Sequence, residues 1–131
     1  MERREGIDAP NEEAMAAFAG RASDGPVYML NLLEFAPDGG AERYAEYGNA
    51  VAPLFQRAGG QALFAGRPAE SLIGEGSWDM VLVVSYPSRQ AFLDMVSSPE
   101  YQEIEHLRSE ALVRSELLAM DALDAAELPG G

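Results

Sequence analysis

The 131-residue chain has no cysteine and a single histidine, His106. The first absence excludes a disulfide framework, a thiol nucleophile and a cysteine-ligated zinc. It fits a reducing compartment, so a cytoplasmic protein is expected. The second leaves His106 as the one conventional imidazole acid or base near neutral pH. Basic residues are also few: nine Lys and Arg stand against 22 Asp and Glu, a formal net charge of −13. Such a surface repels phosphate backbones and anionic membranes, so neither nucleic acid nor membrane is an expected partner. No apolar run is long enough to span a bilayer. The basic residues of "MERREGIDAPNEEAM" precede no apolar stretch, so no secretory signal is expected there. There is no GxSxG elbow, HExxH pair, EF-hand loop or basic–aromatic stripe. "GEGSWD" leads into a strand and not a helix, so it is no phosphate-cradling loop.

What is present reads as one domain spanning 1–131. Its core is 26–120, with a helical extension at 10–21, a loose tail at 121–131 and loose residues at 1–9. Pro10 suits the first turn of the extension helix, whose narrow apolar face holds Met15, Phe18 and Ala19. Residues 27–35 form a first strand. A helix follows over 41–58, with Tyr44, Tyr47, Val51, Leu54 and Phe55 at helical spacing. Pro53 should kink or locally unwind it, and Gly59 and Gly60 stop it. A second strand over 61–73 is interrupted at "GRPAE", and a third runs over 78–87. Ser88 caps the next helix. Ser98 with Pro99 restarts or continues it, with Tyr101, Ile104, Leu107 and Ala111 on its apolar face. A last strand covers 113–120.

The order is β-α-β-β-α-β. The first and third strands are apolar at nearly every position, which means burial on both faces. Pro68 in the second, and Arg114 and Glu116 in the fourth, suit edges. The expected fold is α+β and ferredoxin-like, a four-stranded antiparallel sheet of order 4-1-3-2 with both helices on one face. The other sheet face is apolar too and needs a cover. A second copy packed sheet to sheet is the expected one, giving a two-fold homodimer. The N-terminal helix is the rival cover.

The segments "YAEYGNAVAPLFQRAGG", "WDMVLVVSYPS" and "SPEYQEIEHLR", in that order and spacing, resemble the bacterial domain-of-unknown-function 1330 family of the dimeric α+β barrel superfamily. The likeness covers roughly residues 26–120. Asn31, Tyr44, Tyr47, Gly59, Gly60, Trp78, Asp79, Pro87, Ser88, Pro99, Tyr101 and Arg108 fit the family pattern. Ser85 departs from it, standing where a carboxylate is common, and Leu107 separates His106 from Arg108. The resemblance implies the barrel dimer and no particular activity. Superfamily relatives include cofactor-free monooxygenases, lactone isomerases and haem enzymes.

Asn31 interrupts an apolar central strand, and its amide needs partners beyond the ladder. It either fixes packing or orients a ligand carbonyl or hydroxyl. If the central strands pair antiparallel, Ser85 could share its face, giving two convergent polar groups. Tyr44 and Tyr47 are core tyrosines whose hydroxyls reach a cavity edge. Arg108 holds a ligand carboxylate or pairs with Asp79 or Glu100, whereas Arg67 and Arg89 read as surface charges. Trp78 anchors the sheet end and Asp79 caps a turn. Glu103, His106 and Glu110 share a helix face that reads as solvated, and no metal site is expected. The candidate ligand-binding residues are therefore Asn31, Tyr44, Tyr47, Ser85 and Arg108, with His106 as candidate base and no cofactor. Three functions follow. One is a binder or enzyme for a small, partly apolar carbonyl- or carboxylate-bearing molecule. The second is a non-catalytic dimeric module with a filled core. The third, implied by the resemblance, is a haem protein with His106 as axial ligand.

Overall fold

The computed structural model describes residues 10–130; the loose segment expected at 1–9 lies outside them. Strand β1 (Val27–Phe35) runs through the middle of the sheet. It pairs antiparallel with β3 (Met80–Tyr86) on one side and β4 (Leu112–Met120) on the other. Strand β2 (Gln61–Gly66) borders β3, so the order is β2-β3-β1-β4. This is the 4-1-3-2 order expected from strand composition, read from the other edge.

Helix α1 (Glu12–Ala19) starts two residues later than expected, because Asn11 is the cap. The Ala14 N–H donates to its side chain at 2.9 Å, and Pro10 precedes the cap. Helix α2 (Gly40–Arg57) links β1 to β2. It stays helical through Pro53, so the expected unwinding does not occur. A mid-helix proline removes one N–H donor, and the packing of α2 along α4 (Pro99–Ala111) holds the remaining turns. Gly59, at φ 81°, ends the helix, and the Gly60 N–H donates back to the Phe55 carbonyl at 2.9 Å. A Cβ on Gly60 would stand 2.2 Å from the Phe55 ring, so a larger residue there would have to displace that ring. Helix α3 (Arg89–Ser97) is capped by Ser88. Ser98 caps α4: its hydroxyl accepts from the Tyr101 N–H and donates to the Met95 carbonyl.

The second strand is shorter than expected, ending at Gly66. Pro68 cannot donate to a ladder, and residues 67–79 form a loop. The third strand opens at Met80 and not at Trp78. Trp78 lies just outside it, under the Arg114 guanidinium at 3.8 Å from the ring centre. Asp79 ties down the same sheet end by accepting from the Phe35 N–H at 2.8 Å.

Strand alternation divides the sheet into two apolar faces. Val27, Met29, Asn31 and Leu33 point toward the helices and are buried. Val27 and Met29 build the main core with Val84, Tyr86, Tyr47, Met95 and Tyr101, and Leu33 packs with Ala111 and Leu112 in a second cluster. Tyr28, Leu30 and Leu32 point the other way, opposite Ser85, Val83 and Val81. The rival cover for that outer face is excluded. Helix α1 packs on α3, with Phe18 edge-on to Phe92 at 5.6 Å. Among the described residues no helix covers the outer face.

The expectation that Arg89 is a surface charge is corrected. It is 3 % exposed, lies over the Phe18 ring at 5.3 Å, and donates to Asp121 at 3.1 Å. Asp121 also receives both terminal nitrogens of Arg21 at 3.0 Å. The start of the tail is therefore pinned to the turn after α1 and to the first residue of α3. Arg89 could not be recognised as buried from its neighbours in sequence, because its counter-charge lies beyond the last strand.

Candidate functional site

The cavity lies between the inner sheet face and the helices, and has two lobes. The larger is about 310 Å³, the smaller about 110 Å³. Asn31, Tyr47, Tyr86 and Arg108 line both. Tyr44 and Leu82 belong to the larger lobe, Tyr101 and Leu117 to the smaller. Strand β1 supplies Asn31, α2 supplies the two tyrosines of its stripe, and α4 supplies Tyr101 and Arg108. Residues 101 and 108 are two helical turns apart, so they share a face.

Asn31 is 8 % exposed. Its Nδ2 donates to the Leu82 carbonyl across the ladder at 3.5 Å, at the weak limit of a hydrogen bond. No other side-chain bond holds it among the described residues. Arg108 is partly buried and makes no ion pair among the described residues. The two carboxylates expected as rivals are not its partners: Asp79 is bound to Phe35, and Glu100 is exposed. Arg108 instead lies against the tyrosines. Desolvation raises the Tyr44 pKa, and the neighbouring guanidinium pulls it partly back. The Tyr47 and Tyr101 hydroxyls are hydrogen-bonded to each other at 2.9 Å. Burial, reinforced by Tyr101, raises the Tyr47 pKa. Burial raises that of Tyr86 as well. Tyr44, Tyr47 and Tyr86 therefore stay protonated at neutral pH. The walls thus offer an arginine, an amide and neutral hydroxyls on an apolar background. Neither a carboxylate nor an imidazole lines either lobe.

Four of the five candidate ligand-binding residues come together: Asn31, Tyr44, Tyr47 and Arg108. Ser85 does not join them. It is opposite Tyr28 in the register, three residues from Asn31, and so faces the outer side of the sheet. The diagonal pairing of Asn31 with Ser85 fails on this parity, because a strand's side chains alternate with period two. His106 is exposed on α4 and lines neither lobe. It stands two positions before Arg108 on the helix, a rotation of roughly 200° at 3.6 residues per turn. The cavity therefore has no imidazole to act as base or to ligate a haem iron, and the residues present do not fit the haem reading. Tyr86 and Tyr101 were not singled out as site residues. The signal for Tyr101 was its place on the apolar stripe of α4, two turns before Arg108.

A comparison with protein families matches residues 27–122 to the Domain of unknown function (DUF1330). The chain belongs to this family. A search of curated proteins finds no match. Among solved structures, a protein of unknown function from Rhodopseudomonas palustris is 37 % identical, with a TM-score of 0.81; the match covers 90 % of this chain and 97 % of that one. More distant structures share the fold. A dimeric protein of unknown function with a ferredoxin-like fold from Bacteroides fragilis is 12 % identical at a TM-score of 0.55, over 76 % of this chain and 98 % of that one. A dimeric ferredoxin-like protein of unknown function from Jannaschia is 12 % identical at 0.61, over 75 % and 100 %. The fold of this family member is thus the ferredoxin-like α+β fold.

Proposed function

We propose that the chain is a homodimer joined through its outer sheet faces, and that each protomer binds a small, partly apolar molecule carrying a carbonyl or carboxylate. The observation that carries the binding reading is Arg108: a partly buried cation lining an apolar cavity, with no carboxylate partner among the described residues. Burying a charge without a counter-charge is costly, so a folded protein keeps one where a ligand supplies the missing partner. Asn31, held by one long bond, is the second group free to meet a ligand. The packing-module alternative called for a filled core, and the cavity weighs against it.

The dimer reading rests on the apolar outer face of β1 and β3, half-buried in the single chain, with the exposed Phe64 and Leu118 beside it, and on the dimeric state stated for two fold relatives. It commits to an isologous contact. Light scattering should give twice the 14.1 kDa chain mass. Val83→Glu, at the centre of that face, should give monomers. A monomeric wild type would overturn the dimer reading and leave the cavity untouched. For the cavity, a thermal-shift screen of small carbonyl and carboxylate compounds should yield stabilising ligands for the wild type and none for Asn31→Leu. Equal shifts in both proteins would place binding elsewhere.

A further inference from the structure

The donor inventory of the cavity goes further than its shape. Arg108 offers up to five N–H groups in a planar fork. Tyr44 offers one hydroxyl. The Tyr47–Tyr101 pair spends one hydroxyl hydrogen on itself, which leaves one to donate. Asn31 supplies the one side-chain amide lining the lobes. Against these donors the walls set a single formal charge, that of Arg108, because no Asp, Glu or His lines either lobe. A neutral carbonyl would meet one or two of the donors and leave the cation uncompensated. A phosphate dianion would exceed the one positive charge and find no second cation. An ionised carboxylate matches both the charge and the fork.

The volumes set the size of the remainder. The larger lobe, about 310 Å³, has room for the main body of a small molecule, and the smaller, about 110 Å³, for a short branch only. The two lobes share Asn31 and Arg108, so the head group belongs where they meet, with apolar substituents running into each.

We infer that the ligand is an apolar monocarboxylate, bound as the anion on Arg108, with its main body in the lobe beside Tyr44 and a short branch in the lobe beside Tyr101. This rests on the cavity reading above and narrows it from carbonyl or carboxylate to the carboxylate anion.

Calorimetry on the full-length chain with three probes of one size tests it: 4-phenylbutanoate, 4-phenylbutanamide and 5-phenylpentan-2-one. A charged hydrogen-bond pair should favour the acid by about ten- to a hundredfold over the two neutral probes. Arg108→Gln should erase that preference, and Arg108→Lys, which keeps the charge but loses the fork, should retain part of it. The wild-type comparison decides the matter even if a variant fails to fold. Should the amide or ketone bind as tightly as the acid, the anion inference falls and the cavity reading stands. Should none of the three bind at millimolar concentration, the cavity reading falls and takes this inference with it.

Discussion

The Tyr47 and Tyr101 hydroxyls meet at 2.9 Å, and this contact ties α2 to α4 across the cavity wall. Their rings are edge-to-face at 6.3 Å, so the pair combines aromatic packing with one buried hydrogen bond. Tyr47→Phe removes one hydroxyl and leaves the other without its partner. The loss should be about 1–3 kcal/mol by denaturant unfolding. Tyr101→Phe should cost about as much. The double variant leaves no orphan, so its loss should be smaller than the sum. Additive losses would show that the hydroxyls do not interact in solution.

The same tyrosines govern alkaline stability. The chain has no lysine and no cysteine, so its side-chain titration around pH 10 is that of tyrosine. Burial raises the folded-state pKa of Tyr44, Tyr47 and Tyr86 above the ordinary 10.0. Above pH 10 the unfolded chain gives up these protons and the folded one keeps them. The unfolded state then binds fewer protons, so stability falls as pH rises. Each such tyrosine contributes a slope of roughly 1.4 kcal/mol per pH unit within its window. Unfolding curves between pH 9 and 11.5 should show stability flat at first and then dropping. In Tyr86→Phe the drop should be shallower. A wild-type profile flat through pH 11.5 would contradict the burial of these hydroxyls.

Asp121 acts at the other end of the scale. Hydrogen bonds from Arg21 and Arg89 hold its pKa below the ordinary 3.8. A depressed carboxylate stabilises the fold above its unfolded pKa, and that stabilisation is lost as pH falls through the folded value. Asp121→Asn should therefore melt below the wild type at pH 7, and the two should converge as the pH drops below 3.8. Identical melting at pH 7 would mean that the tail is not pinned.

Much of the architecture was legible before the structure. β1 and β3 carry apolar side chains on both faces, which marks central strands, while Arg114 and Glu116 mark the β4 edge; Pro68 lies in the loop after β2 and not in the strand. Strand composition and sheet order are linked by burial, so one reveals the other. Pairwise register is a different matter. Asn31 and Ser85 read equally well as neighbours or as opposites until the Tyr28–Ser85 pairing places them on opposite faces. Arg89 misled for a related reason. A charged residue beside a helix cap reads as exposed, and its burial depends on Asp121, 32 positions later. Arg108 was legible as a candidate but not as an unpaired cation, since that depends on where Asp79 and Glu100 point.

The measurement that bears most directly on the cavity is the denaturant stability of Asn31→Leu. The amide's single bond is 3.5 Å long, so its loss should cost little, while leucine adds apolar surface at a buried position. The variant should be as stable as the wild type or more stable, as expected where a polar residue is retained for binding and not for folding. A loss of about 1–3 kcal/mol would show that Asn31 is held in a satisfied packing network, and would contradict its place in a ligand site.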